Sequence, residues 1–151
     1  MKRLLVPIDL AHESSATLAL PIAFDLSRAL GGEVALLTVV PEIPAGLDLR
    51  YAIRGETGGS AELDIDALLG RARDRLAEIG KAHAKANESF DVHARYGVVY
   101  EEILDLADEL DVDQIVMTAH RPSVAERLLG SNAARVVRHA KCSVQVVREG
   151  L

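Results

Sequence analysis

Short apolar runs alternate along the chain with longer segments in which apolar residues recur at helical spacing. A continuous apolar run is typical of a strand covered on both faces, whereas recurrence at every third or fourth position is typical of a helix with one buried face. These patterns predict strands over residues 3–8, 33–40, 90–95, 113–119 and 142–148. They predict helices beginning at residue 14 or 15 and ending at Gly31-Gly32, and over residues 62–87, 99–110 and 131–139. In the 99–110 helix, Ile103, Leu104, Ala107 and Leu110 are expected to face inward.

Strands that alternate with helices imply parallel strands joined by crossover connections. We therefore predict an α/β fold: an open, Rossmann-like parallel sheet of about five strands, with helices on both faces. The right-handedness of such crossovers leaves few strand orders, of which 3-2-1-4-5 suits this length. The 151 residues fit one domain, 1–151.

One segment lacks a clear period. Residues 41–61 contain two prolines and four glycines, which predicts a long loop. A loop of this length in a compact domain is usually a lid or a binding loop, or is partly disordered.

Composition narrows the class of protein. Hydrophobic residues make up 49% of the chain and charged residues 26%, as in a globular domain. The single cysteine, Cys142, forms no internal disulfide, and no Cys/His spacing matches a zinc site. The first apolar run is broken at Asp9, too early for a signal peptide or a membrane span. We therefore expect a soluble cytoplasmic protein.

The charge is uneven along the sequence. The chain carries −6, and the part from Arg121 to the end has six cations and two acids, so it carries +4 and the rest −10. The overall negative charge argues against nucleic acid as a partner. The basic end predicts either a small anionic ligand or cations on a solvated helix face.

Ligands of open α/β sheets bind at the carboxyl ends of the strands, where the strand order reverses. The candidate residues are therefore those that end the first, second and fourth strands and begin the last helix. They are Pro7, Ile8, Asp9, Val39, Val40, Met117, Thr118, Ala119, His120, Gly130, Ser131, Asn132 and Ala133.

Each polar candidate has a functional and a structural alternative. Ser131 could reach a phosphate oxygen at the helix amino terminus, or serve only as its N-cap. Asp9 could accept hydrogen bonds from a ribose hydroxyl or a base, bind a metal through water, or brace the following loop. His120 could contact phosphate, act as an acid or base, or pack at a strand end. No P-loop, G-x-G-x-x-G motif or nucleophile elbow is present.

The sequence resembles the universal stress protein family over essentially the whole chain, most clearly in four stretches. They are LLVPIDL, VALLTVV, YGVVYEEILDLADELDVDQIVMTAHRP and LLGSNAARVVRHAKCSVQVV, the last being the most specific. The resemblance implies the five-stranded open sheet, usually dimeric through its last strand. Many members of the family bind ATP, and others do not.

The resemblance also implies roles for the candidate residues. Pro7, Ile8, Asp9 and Val39 would surround adenine and ribose. Met117, Thr118 and His120 would line the middle of the site, and Arg121 with Gly130–Ala133 would hold phosphates. Of the family's G-x-x-G, nine residues, G-[ST] motif only Gly130-Ser131 remains, since Met117 and His120 replace the earlier glycines. A related branch has Ser-His-Arg-Pro followed by Leu-Leu-Gly-Ser-Asn-Ala-Ala and includes ATP binders, and here Arg121 could replace the missing amide contacts.

Three hypotheses follow. The first is an ATP-binding stress-response sensor or regulator, with or without Mg²⁺, and with at most slow hydrolysis or autophosphorylation. The second is a nucleotide-free, dimeric protein-interaction module with an unidentified protein partner. The third is an efficient ATPase or kinase, for which the sequence identifies neither metal ligands nor a nucleophile. The last strand, CSVQVVR, is an edge strand in the predicted order and favours a homodimer about a twofold axis.

Overall fold

The computed structural model describes residues 2–41, 62–119 and 130–148. These residues form five strands, one 3₁₀ helix and four α-helices. In chain order they are β1 (Arg3–Pro7), the 3₁₀ helix (Leu10–Ser15), α1 (Ala16–Leu30), β2 (Glu33–Pro41), α2 (Glu62–His83), β3 (Asp91–Gly97), α3 (Val99–Glu109), β4 (Gln114–Ala119), α4 (Ser131–His139) and β5 (Ser143–Arg148). Pro41 ends β2, and the rest of the predicted 41–61 loop lies outside the described residues.

The five strands form one sheet in the order β3-β2-β1-β4-β5. Every neighbouring pair is parallel, which confirms the predicted α/β fold and its strand order. The central strand β1 pairs with β2 on one side and with β4 on the other. The strand order therefore reverses between β1 and β4.

Different helix pairs cover the two faces of the sheet. Consecutive strand residues point to opposite faces, so Val6 of β1 and Val116 of β4 belong to one hydrophobic cluster, whereas Leu5 and Met117 belong to the other. Helices α1 and α2 supply the first cluster, and α3 and α4 supply the second. None of the helices in the described ranges is long and apolar enough to cross a membrane.

Glycine ends α1, as the sequence predicts. Gly31 has a φ of +66°, and the Gly32 N–H donates to the Ser27 carbonyl at 2.8 Å. This six-to-one hydrogen bond is the Schellman closure of a helix carboxyl end. The chain is thereby turned directly into β2.

Helix α2 ends at His83, four residues before the predicted end. The residues that follow form a turn in which the Glu88 N–H donates to the Lys85 carbonyl at 2.9 Å and the Lys85 N–H donates to the Glu88 carboxylate at 3.0 Å. This N–H and the Arg28 guanidinium hold the pKa of the Glu88 carboxyl below its usual value. Local side-chain bonding therefore replaces the last helical turn.

Helix α3 buries a wider stripe than the predicted one. Ile103 and Ala107 are buried as expected, and Leu104 and Leu110 are partly buried against the same cluster. Leu106 is also buried, at 1% exposure, although the prediction omitted it. Because α3 packs both on the sheet and on α4, its apolar face is broader than a single spacing indicates.

A close aromatic contact lies beneath α2. The rings of Phe24 and Phe90 meet edge to face with their centroids 6.0 Å apart. Gly80 has no side chain, and this lets the Phe90 ring and Leu36 pack directly against α2. A Cβ at this position would lie 2.4 Å from the Phe90 ring and 2.8 Å from Leu36. Gly70, in the same helix, has nothing within 4 Å of such a Cβ.

The two glycines predict opposite effects of alanine. Gly70→Ala should raise the free energy of unfolding by up to about 1 kcal/mol through helix propensity alone. Gly80→Ala gains the same propensity but forces the Phe90 ring to move, and overpacking of this kind typically costs about 1–3 kcal/mol. Urea unfolding of both variants measures the difference. A Gly80→Ala variant as stable as Gly70→Ala would contradict this account of the aromatic contact.

Candidate functional site

The sheet opens a cavity where its strand order reverses. From β1 the chain passes to α1 on one face, and from β4 it continues to α4 on the other. The helices that follow these neighbouring strands therefore lie on opposite faces, and the carboxyl ends of the two strands are the usual ligand site of open α/β sheets. A cavity of about 260 Å³ lies there.

Most of the predicted site residues that the structure describes come together around this cavity. Those that line it are Pro7, Ile8, Asp9, Val39, Met117, Thr118, Gly130, Ser131, Asn132 and Ala133. Val40 and Ala119, the other strand-end candidates, are not among the lining residues. His120 and Arg121 lie outside the described residues.

The cavity also has lining residues that the sequence reasoning missed. They are Leu37, Pro41, Val99 and Ile103. Leu37 and Pro41 lie two residues either side of Val39, so the two-residue period of a strand could have identified them. Val99 and Ile103 are four residues apart on the first turns of α3, which follow the end of β3. Their four-residue spacing in a helix that begins at a strand end, next to the expected crevice, could have identified them.

The floor of the cavity is apolar and rigidly packed. Leu37, Ile103 and Met117 are at most 5% exposed and belong to the cluster that joins the sheet to α3 and α4. Such a surface cannot hydrogen-bond a ligand, but it favours burial of a flat or aliphatic group. The polar groups of the site lie instead at the two ends of the lining, at Asp9 and at the start of α4.

The amino terminus of α4 is capped differently from the prediction. Gly130, not Ser131, is the N-cap residue, and among the described residues it provides no side-chain capping hydrogen bond. Ser131 is the first helical residue, with an exposed side chain. The first helical bond runs from the Ala134 N–H to the Gly130 carbonyl at 2.9 Å. The preceding N–H groups have no intrahelical acceptor, and together they favour an anion.

Charge distinguishes this helix end from the other one at the cavity. Helix α3 also begins there, with Val99, but its first turn carries Glu101 and Glu102. The first turn of α4 has no acidic residue. An anionic group in the cavity is therefore favoured more at the start of α4 than at the start of α3, where two carboxylates already offset the helix dipole.

Asp9 braces the turn that follows β1, one of its predicted alternatives. Its Oδ1 accepts the Ala11 N–H at 2.9 Å, and its Oδ2 lies 3.0 Å from Nδ1 of His12. The Asp9 side chain is nevertheless 60% exposed and lines the cavity. Within residues 2–41, 62–119 and 130–148, no group of three or more His, Cys, Asp or Glu side chains is arranged to hold a metal ion.

Sequence comparison decides the family. Residues 1–148 match the Universal stress protein family. The chain belongs to that family. Universal stress protein G of Shigella flexneri is 48% identical over 56 residues, which are 37% of this chain and 39% of that relative. The aligned stretch thus spans well under half of the relative. A universal stress protein of Methanocaldococcus jannaschii is 28% identical over 150 residues, or 98% of this chain and 82% of the relative.

Solved structures of other proteins share the fold. A hypothetical protein studied as a test case of structural genomics superposes with a TM-score of 0.69 at 26% identity, covering 99% of this chain and 97% of its own. A universal stress protein in complex with cAMP gives 0.56 at 24% identity, with 99% and 98% covered. One from Archaeoglobus fulgidus in complex with dAMP gives 0.54 at 20%, with 97% and 98% covered. Some members of the family therefore bind adenine nucleotides.

The observed cap predicts how α4 responds to substitution. Ser131→Ala should change the free energy of unfolding by less than about 0.5 kcal/mol, because the hydroxyl makes no capping bond. Gly130→Ala alters the N-cap residue itself, so it should destabilise the protein by up to roughly 1 kcal/mol. Thermal unfolding of the two variants is the measurement. A loss of about 1 kcal/mol or more in Ser131→Ala would contradict the assignment of Gly130 as the N-cap.

Proposed function

We propose that this universal stress protein binds an adenine nucleotide, ATP, in the cavity between β1 and β4, and that it acts as a stress-response sensor or regulator. One observation carries the proposal: a single cavity combines a buried apolar floor with a helix amino terminus whose N-cap residue, Gly130, provides no side-chain cap. A nucleotide needs both, because its base is a flat aromatic group and its phosphates are anionic.

The arrangement of the lining residues suggests how the ligand lies. Pro7, Ile8 and Val39 would contact the adenine, with Asp9 beside the ribose. Met117 and Thr118 would lie beneath the middle of the ligand. The backbone amides from Gly130 to Ala133 would bind phosphate oxygens.

Two residues outside the described ranges belong to the proposal on sequence grounds alone. His120 and Arg121 follow β4 directly, and we expect them near the phosphates. Arg121 would supply charge-assisted hydrogen bonds where the family's earlier glycines are replaced.

The proposal is for a sensor and not for an efficient ATPase or kinase. Phosphoryl transfer needs a positioned metal ion and a positioned nucleophile, and the sequence identifies candidates for neither. Slow hydrolysis or autophosphorylation, with Mg²⁺ accompanying ATP, stays compatible with this role. The single cysteine agrees with a cytoplasmic location.

Substitution of the N-cap glycine tests the ligand proposal. Gly130→Val places a branched side chain where the backbone would approach a phosphate, so ATP affinity should fall at least about tenfold, equivalent to about 1.4 kcal/mol. The affinity for adenosine, which has no phosphate, should fall much less. Isothermal titration calorimetry measures both ligands, and mass spectrometry of the native protein detects a co-purifying nucleotide.

The matched control is Gly70→Val, the same chemical change in α2, where a Cβ would meet nothing within 4 Å. It should leave ATP affinity unchanged. Unchanged ATP affinity in a folded Gly130→Val protein would remove the α4 amino terminus from the site. Absence of nucleotide binding by the unsubstituted protein would favour the alternative role as a nucleotide-free interaction module.

We also propose that the protein is a homodimer paired through β5. This strand ends the order of the described sheet, and its Val144, Val146 and Val147 are only partly buried. Val144 packs on the α3 and α4 side and Val147 on the α1 and α2 side, so both faces of the strand are apolar. An apolar edge strand with unused backbone groups is relieved by pairing with a second copy about a twofold axis.

Light scattering tests the dimer directly. We expect twice the mass of one chain at micromolar concentration, both with and without ATP, because the edge strand is present in either state. Dilution should reveal monomer only well below that concentration. A monomeric mass throughout, with and without ATP, would defeat the proposal.

A further inference from the structure

The turn after β1 holds the Asp9 carboxylate by both oxygens. The Ala11 N–H donates to Oδ1 at 2.9 Å, and the His12 ring lies with Nδ1 3.0 Å from Oδ2. An ionised carboxylate only accepts hydrogen bonds, so the His12 nitrogen must be the donor in this contact. His12 also departs from 3₁₀ geometry, with φ −133° and ψ 66°, and interrupts the 3₁₀ helix at this residue.

The same turn has an independent attachment to the rest of the fold. Glu13 forms an ion pair with Arg75 of α2, and Arg75 also contacts Glu78 at 3.0 Å. In addition, the His12 N–H donates to the Asp9 carbonyl at 3.0 Å through the backbone. Loss of the His12 ring would therefore remove the described contact to Oδ2 of Asp9, while the Ala11 N–H still holds Oδ1 and the turn stays attached.

The number of acceptor positions makes this contact relevant to the cavity. Each carboxylate oxygen can accept two hydrogen bonds, and the turn uses one on each. One position on each oxygen is then left for a ligand, and the carboxylate is 60% exposed where it lines the cavity. Two acceptors held at a fixed spacing match a pair of adjacent hydroxyl groups.

We propose that His12 is a positioning residue: it fixes the Asp9 carboxylate so that both oxygens meet the adjacent hydroxyls of a ribose. The inference rests on the proposed nucleotide function and makes it more specific. It assigns the site a preference for ribonucleotides whose 2′ and 3′ hydroxyls are both unmodified. His12 acts through Asp9 and need not touch the ligand.

The test compares ATP with 2′,3′-dideoxy-ATP, which has the same base and phosphates but neither hydroxyl. The unsubstituted protein should bind ATP more tightly. His12→Phe keeps an aromatic ring but removes the donor, and it should weaken ATP about 3- to 10-fold, the size of one hydrogen bond. Its affinity for dideoxy-ATP should not change. His12→Asn restores an N–H donor and should recover most of the preference for ATP.

Two control variants separate positioning from a general effect on the turn. Glu13→Gln weakens the attachment to Arg75 without altering the His12 contact, so it should keep the preference for ATP. Asp9→Asn should abolish the preference, and adding His12→Phe to it should then have no further effect on the ratio of the two affinities. Thermal unfolding checks that each variant is folded.

The outcomes distinguish this inference from the function on which it rests. If His12→Phe lowers the affinities for ATP and dideoxy-ATP equally, or lowers neither, the proposed role of His12 is overturned. The proposal that the protein binds a nucleotide is not affected by that result. A preference for ATP that survives Asp9→Asn would also overturn it. Failure of the unsubstituted protein to bind either nucleotide would reject the proposed function and this inference together.

Discussion

The structure depends on one strand that must be covered from both sides. In β1 the adjacent residues Leu5 and Val6 are completely buried and enter opposite hydrophobic clusters. A strand in this position needs helices on both faces of the sheet. Some of the helices that follow the strands must therefore pack on one face and the others on the opposite face. The crevice at the end of β1 is a consequence of that division. The cavity therefore exists because of how the core is covered, before any ligand contact is considered.

Much of the fold could be predicted from the sequence because buried strands appear as short apolar runs. Apolar runs, weaker in β3 than in the other strands, predicted every strand to within about two residues, and Asp9 and Gly130 were identified from their places at element ends. Leu37 and Ile103 were missed because they serve the core and the cavity at once, and an apolar residue shows no sign of the second role. The cap of α4 was misassigned because serine is a common N-cap, whereas the backbone placed glycine there.

The electrostatics of the cavity are local and do not follow from the net charge. The protein carries −6, yet the start of α4 has no acidic residue and the start of α3 has two. Two helix ends with the same backbone dipole therefore present different fields to one cavity. Exposed acidic residues farther from the cavity than a Debye length are largely screened by salt, so the net charge need not oppose an anionic ligand.

The register of β4 and β5 connects the cavity to the edge of the sheet. Met117 and Thr118 line the cavity, and their partners on β5 are Val146 and Val147. The ligand-facing side chains thus lie on the strand next to the edge strand of the described sheet. If two copies join along β5, thermodynamic linkage makes the exchange mutual: whatever free energy ligand occupancy adds to association, association returns to ligand binding. Dimerisation and ligand binding would then be thermodynamically coupled, so that each shifts the equilibrium of the other.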